Sequence, residues 1–358
     1  MTQTLSVIKA DIGGMVGHSS MHPDILDHGR KQIEQGVQDG LLIDGQAHAC
    51  GDDLFLIMSH DRGQDDETLH KFAWDTFQSG TDIARKLHLY GAGQDLLVDA
   101  FSGNIRGAGP GSAELELVER PSEPVIVFMG DKTSAGSFNL PFYKMFADPF
   151  NTAGLVIAES LHDGFAFEVH DIANNKKAVF QSPEEIYDLL VFIGSPAHYA
   201  VKRIVARSTG EVDKLSLIAG RYVGKDDPTS IVRCQGAFPA VGEVLEAFTT
   251  PWIVEGFMRG SHYGPWMPVS LENANPSRFD GPPRIVALGF QLADGKLIGP
   301  RDMFDDPSFD PARAEANVIS DILRKHGPFE PHRLPLDEME YTTMPAVAAK
   351  MADRWTEI

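Results

Sequence analysis

Short apolar runs, broken by glycine, proline and paired acids, alternate along this chain with stretches of helical periodicity, which predicts a mixed α/β fold. Leu5–Ala10 reads as a strand that delivers Asp11 into a Gly13-Gly14 loop, with His18 shortly after. Pro23 to Asp39 has the spacing of an amphipathic helix, with proline in its first turn and Gly40 just beyond its end. Leu54–Met58 is an unbroken apolar run and predicts a buried strand abutting Asp52-Asp53. A second helix opens at Asp65-Asp66, carries Leu69, Phe72, Ala73 and Phe77 on one face, and runs to about Lys86. Ala113 to Glu119 alternates glutamate with leucine or valine, as a half-exposed strand does, whereas Pro124–Gly130 is fully apolar and ends at Asp131-Lys132.

Further on, Phe165–Val169, Lys177–Phe180, Tyr199–Ala206, Leu215–Ala219 and Ile231–Gln235 read as strands. Ser182-Pro183-Glu184-Glu185 reads as a capping box for a helix that stops at Gly194. The last two of those strands predict a hairpin presenting Lys225 at its tip. A strand over Arg284–Phe290, a helix over Pro311–His326 and a helical segment after Tyr341 complete the chain. Candidate site residues run from Asp11 to Tyr341 with no repeat and no clear linker, so residues 1–358 are expected to form a single integrated domain.

The charge balance narrows what such a protein binds. With 31 Lys+Arg against 51 Asp+Glu the formal charge is -20, which argues against nucleic acid or an anionic membrane as the main partner. Two cysteines, Cys50 and Cys234, make no disulfide framework, the N-terminus lacks a basic leader, and no run approaches eighteen apolar residues. A soluble, cytoplasmic protein is expected.

The acids gather at strand ends. Asp11, Asp52-Asp53 and Asp131-Lys132 each sit at the lip of a core strand, and adjacent partly buried carboxylates need a shared cation. Three such ends converging on one sheet edge would make a polynuclear metal site. Tyr222-Val223-Gly224-Lys225-Asp226-Asp227-Pro228 repeats the device with a lysine directly before two acids. Asp226 and Asp227 are hard oxygen donors that suit Mg²⁺. Lys225 is open to three readings: salt-bridge partner, phosphate contact, or an amine activated for Schiff-base chemistry; Tyr222 offers a phenol that could move a proton. Glycine-rich runs over Leu89–Asp95 and Ser102–Gly111 let backbone N–H groups approach an anion, though their spacing matches neither a Walker loop nor a dinucleotide fingerprint. Arg259, in a polar loop, suits a phosphate.

Ile8–Gly13, Gly51–Leu54, Ala92–Leu97, Phe101–Asn104, Asp131–Thr133, Lys144–Thr152, Tyr222–Pro228, Met258–Pro265, Arg278–Arg284 and Met339–Thr343, taken together and in this order, resemble the bifunctional fructose-1,6-bisphosphate aldolase/phosphatases of archaea and deeply branching bacteria. The resemblance covers nearly the whole chain. It implies a gluconeogenic enzyme that joins dihydroxyacetone phosphate to glyceraldehyde 3-phosphate and then hydrolyses the 1-phosphate of the product, leaving fructose 6-phosphate. By that resemblance Lys225 forms the Schiff base, Tyr222 transfers the proton, and Asp11 activates water for the phosphatase step. Asp11, His18, Asp52, Asp53, Gln94, Asp131, Asp226 and Asp227 would hold several Mg²⁺ ions. His18, Tyr90, Gly103, Asn104, Lys132, Gln235, Arg259, Asp280 and Tyr341 would hold the sugar and its phosphates. The implied fold is a layered α-β-β-α sandwich with largely antiparallel sheets, assembled as a homo-octamer. Two other readings compete: a Mg²⁺-dependent sugar or inositol phosphatase with no use for Lys225, and an acidic cation-binding structural protein.

Overall fold

The structure is a computed structural model and describes residues 2–96, 109–208, 217–219, 227–236, 239–254, 264–278, 281–325 and 344–357. Its strands in chain order are β1 (Thr2–Asp11), β2 (Gly14–Met15), β3 (Ser20–Met21), β4 (Asp44–Cys50), β5 (Asp53–His60), β6 (Gly111–Val118), β7 (Glu123–Asp131), β8 (Phe165–Asp171), β9 (Lys176–Gln181), β10 (Tyr199–Ala206), β11 (Leu217–Ala219), β12 (Thr229–Arg233), β13 (Ile253–Val254), β14 (Gly264–Pro265), β15 (Met267–Pro268), β16 (Arg284–Ala293), β17 (Lys296–Asp302) and β18 (Thr356–Glu357). The helices are α1 (Pro23–Gln38), α2 (Glu67–Lys86), α3 (Asn139–Phe146), α4 (Gly154–Ile157), α5 (Ile186–Ile193), α6 (Val241–Glu246), α7 (Asp310–Lys325) and α8 (Met344–Met351).

Among the described residues two large sheets form. One orders its strands β4-β5-β1-β6 and is antiparallel throughout. The other runs β15-β16-β7-β12-β11-β10-β8-β9-β18, with β17 on β16, and β15–β16 is its parallel pair. The fold is thus mixed α/β with mostly antiparallel sheets.

Side-chain alternation explains how the sheets are used. In β1, Leu5 and Val7 join Phe55, Ile57, Leu115 and Leu117 in an apolar cluster that also contains Val125, Val127, Met129, Ile231, Val286 and Leu288 of the second sheet. The intervening Ile8 and Ala10 belong to another cluster, with Leu54, Leu56 and Met58 and with Ile25, Ile33, Leu69, Ala73 and Phe77 of α1 and α2. A third cluster joins Ile126, Phe128, Phe165 and Phe167 to Phe142, Leu189, Phe192, Val244 and Met351 from the later helices. Period two therefore places Leu5, Val7, Lys9 and Asp11 on one face of β1, and Asp53, Phe55 and Ile57 on the matching face of β5. Val125, Val127, Met129 and Asp131 share a face of β7 by the same rule. A slip of one residue in β1 would exchange Asp11 for Ala10 or Ile12 and lose the carboxylate from this face.

Two local expectations are corrected. The alternating segment is β6, but it is buried almost end to end, and Glu114 is among its buried residues. A helix does end at Gly194, yet Ser182 does not cap it: Ser182 N–H donates to Phe165 O, which keeps it tied to the sheet, and the helix begins at Ile186 after Glu185. The antiparallel β11–β12 pair bears out the hairpin, while Lys225 at its expected tip lies outside the described residues.

Candidate metal centre and active site

Asp52 and Asp53 occupy the tight connection between β4 and β5, so turn and buried acid pair are the same structure. Gly51 makes it possible. Its φ is +59°, a left-handed conformation, and a Cβ there would lie 2.1 Å from Oδ1 of Asp131. The turn packs directly onto the end of β7, which brings three strand ends together. Asp227 completes the set from the start of β12, at φ +47°, held by reciprocal bonds: its N–H donates to Thr133 O at 2.8 Å and its Oδ1 accepts from Thr133 N–H at 2.9 Å.

The ligand atoms fall into two groups, Asp11, His18 and Asp52, and Asp53, Asp131 and Asp227; within each the atoms lie within 4.8 Å of one another. His18 Nδ1 is 2.7 Å from Asp52 Oδ2 and 3.5 Å from Asp11 Oδ2. Lys132 bridges the groups, its Nζ 2.8 Å from Asp52 Oδ1 and 3.2 Å from Asp131 Oδ1. Lys9 meets Asp53 Oδ1 at 3.0 Å and stands 3.9 Å from Asp227 Oδ2. Tyr90 packs its ring edge-on to His18 with centroids 4.7 Å apart, and Gln94 Oε1 and His18 Cε1 both border the space above Gly91.

The electrostatics are those of carboxylates short of positive charge. Burial, with Asp227 and Asp52 adding like charge, lifts Asp131 to about 7 against the pull of Lys132. Burial also raises Asp53 well above the ordinary range, and raises Asp11. Asp52 is the exception: burial opposes its ionisation, but the His18 hydrogen bond and Lys132 hold it down at about 2. His18 is pushed up to about 10 by hydrogen bonds to Asp11 and Asp52. One oxygen of the second group, Asp131 Oδ2, is buried without a hydrogen-bond partner. A hard divalent cation fits this donor set, because it would restore ionisation of the raised carboxylates and supply the missing partner.

Of the expected site residues, the structure thus brings Asp11, His18, Asp52, Asp53, Gln94, Asp131, Asp227, Tyr90 and Lys132 together. Gln235 does not join them. Cys234 N–H donates to Pro124 O at the opposite end of β7 from Asp131, which puts Gln235 roughly 20 Å away along the strand. Gly103, Asn104, Tyr222, Lys225, Asp226, Arg259, Asp280 and Tyr341 lie outside the described residues. Three contributors carry no expected role from the sequence: Asp95, whose Oδ2 accepts from Asp11 N–H at 2.8 Å; Thr133; and Lys9. Each stands beside an expected ligand in sequence or register, and that neighbourhood is the signal that could have found them.

Two donor clusters at converging strand ends, one of three carboxylates and one of two carboxylates with the His18 imidazole, define the class of this site, a carboxylate-rich centre suited to divalent cations. Residues 2–356 match the profile of the family described as Fructose-1,6-bisphosphatase. The chain is 57% identical to the fructose-1,6-bisphosphate aldolase/phosphatase of Moorella thermoacetica, over 99% of this chain and 94% of that protein. It is 54% identical to the protein of that name from Methanothermobacter marburgensis, over 100% of both chains, and 55% identical to that of Methanocaldococcus jannaschii, over 98% and 92%. The chain belongs to the fructose-1,6-bisphosphate aldolase/phosphatase family.

Proposed function

We propose that this protein condenses dihydroxyacetone phosphate with glyceraldehyde 3-phosphate and then hydrolyses the resulting fructose 1,6-bisphosphate to fructose 6-phosphate and phosphate, in the direction of gluconeogenesis. The observation that carries the reading is the convergence of Asp11, Asp52, Asp53, Asp131 and Asp227 around Lys132, with Lys225 two residues before the anchored Asp227 in the sequence.

In the condensation, Lys225 Nζ adds to the ketone carbon of dihydroxyacetone phosphate and water departs, leaving a protonated imine. Loss of a proton from the adjacent carbon gives an enamine, which attacks the aldehyde carbon of the second triose; hydrolysis of the imine frees Lys225. Tyr222 moves the proton. In the second step Asp11, whose carboxyl is raised by burial, takes a proton from the water that attacks phosphorus. Lys132 and Arg259 offset phosphate charge, and His18, Tyr90, Gly103, Asn104, Asp280 and Tyr341 orient the sugar. Mg²⁺ ions, held by Asp11, His18, Asp52, Asp53, Gln94, Asp131, Asp226 and Asp227, would neutralise the phosphates and polarise the phosphoryl oxygen.

The three apolar clusters support a layered α-β-β-α sandwich forming one integrated domain. Family resemblance supports a cytoplasmic homo-octamer. A contact between Gln235 and substrate then requires a neighbouring copy, because Gln235 and Asp131 lie at opposite ends of β7 in one chain.

The test follows fructose 6-phosphate and phosphate from the two trioses and Mg²⁺, with and without EDTA, in the wild type and in Lys225→Arg. The variant keeps the charge but forms no imine, so condensation is lost while hydrolysis of supplied fructose 1,6-bisphosphate persists in part. Equal loss of both would break the division of roles. Release of phosphate only from supplied bisphosphate by the wild type would leave a phosphatase alone.

A further inference from the structure

Lys9 is 1% exposed, in the middle of the inter-sheet face of β1, with apolar Leu5 and Val7 before it and Asp11 after it on that face. A buried ammonium is costly unless paired. Among the described residues it meets two acids of the second carboxylate group: Asp53 Oδ1 at 3.0 Å and Asp227 Oδ2 at 3.9 Å.

The pairing divides the oxygens of the group. Oδ1 of Asp53 is held by Lys9, and Oδ1 of Asp227 is held by the Thr133 N–H. Asp131 Oδ1 meets Lys132, and Asp131 Oδ2 is buried with no partner. Lys9 also links a strand of the first sheet to the start of β12, and so joins the carboxylate group to the segment that carries Lys225. We propose that Lys9 is a positioning residue of the Asp53–Asp131–Asp227 group: a resident counter-cation that keeps these carboxylates assembled while no metal is bound. This rests on the metal-dependent reading of that group.

This role predicts a response that packing alone does not. Without metal, Lys9 shares with Lys132 the task of offsetting the group's negative charge; with metal bound, the divalent ion takes over much of that neutralisation. The test compares thermal unfolding of full-length wild type, Lys9→Met and Lys9→Arg in EDTA and across a titration of MgCl₂, repeated with MnCl₂. In EDTA, Lys9→Met is expected to melt about 5 °C or more below wild type, the effect of breaking a buried charge pair. Its cation-induced rise in melting temperature is expected to exceed that of wild type, narrowing the gap, while Lys9→Arg retains most of the wild-type behaviour. An equal deficit with and without cation would make Lys9 a packing residue and overturn the proposal. A wild type that neither Mg²⁺ nor Mn²⁺ stabilises would overturn the metal reading itself, a separate failure. Should Lys9→Met not fold in EDTA, recovery of a cooperative transition on adding cation supports the proposal, and failure at every cation concentration overturns it.

Discussion

Strand β1 carries a polar cluster on each of its faces, and the two clusters have opposite character. On the face toward α1 and α2, the Ser6 hydroxyl donates to Glu114 Oε1 at 2.9 Å and lies 2.8 Å from His60 Nε2. His70 Nε2 is 3.1 Å from the same glutamate oxygen, and Asp65 N–H donates to the other at 3.0 Å. With Ser6 donating to glutamate, His60 Nε2–H donates to Ser6 while His60 Nδ1 accepts from Arg62 N–H, the arrangement of a neutral imidazole. Burial, which holds the His60 pKa down, agrees. Glu114 resists its own burial because the His70 bond, with those from Asp65 and Ser6, holds it at about 2. On the other face Lys9, Asp53 and Asp131 are as deeply placed, yet burial raises Asp53 and Asp131 and an oxygen of Asp131 has no partner. Burial alone does not separate structure from site. Completion does: one network satisfies its carboxylate from within the chain, and the other leaves it for something that arrives.

The comparison can be broken most severely at Asp52. Asp52→Asn removes the oxygen charge that meets both His18 and Lys132, and both half-reactions should fall by about 100-fold or more when products are assayed at fixed Mg²⁺. Turnover of fructose 1,6-bisphosphate at the wild-type rate would remove Asp52 from the centre. Next comes Gly51→Ala, which adds no charge. Its left-handed backbone and the 2.1 Å approach to Asp131 Oδ1 force that carboxylate aside, so cation affinity, read by isothermal titration, should weaken about tenfold or more.

Glu114→Gln perturbs the completed network instead. It should cost about 1–3 kcal/mol and lower the melting temperature by a few degrees, with the cation-induced shift left as in the wild type. A changed cation response would mean that the two faces are coupled. The smallest effect is in acid. Because Glu114 is held at about 2, below its ordinary 4.5, its contribution is complete above about pH 4.5 and is lost as pH falls toward about 2. Denaturant unfolding from pH 5 to 3 should therefore be shallower in pH for Glu114→Gln than for the wild type. Equal slopes would assign acid sensitivity to other carboxylates.

Much of this was legible from pattern because period and burial agree. The apolar runs ending at Asp11 and Asp131, and beginning after Asp53, are core strands whose alternation carries the acids into the inter-sheet space. Glu114 was misread for the same reason: a glutamate alternating with leucine signals a wet face, and only the approach of α2, bringing His70, converts that face into interior. Lys9 was hidden inside a strand signal, since nothing local marks a lysine whose counter-charges lie 44 and 218 positions away. Gln235 was assigned by resemblance alone, and a matched position carries no information about which end of a strand a residue occupies.

Every residue of β1 from Gln3 to Asp11 is buried, and the strand is hydrogen-bonded along both edges, to β5 and to β6. Such a strand has no low-energy way to open alone, so its amides exchange with solvent deuterium only when the molecule as a whole comes apart. Lys9 and Asp11 are mounted on that strand. The centre is therefore tied to the slowest-exchanging part of the protein, and a lesion that loosened this strand would erase chemistry and fold in one event.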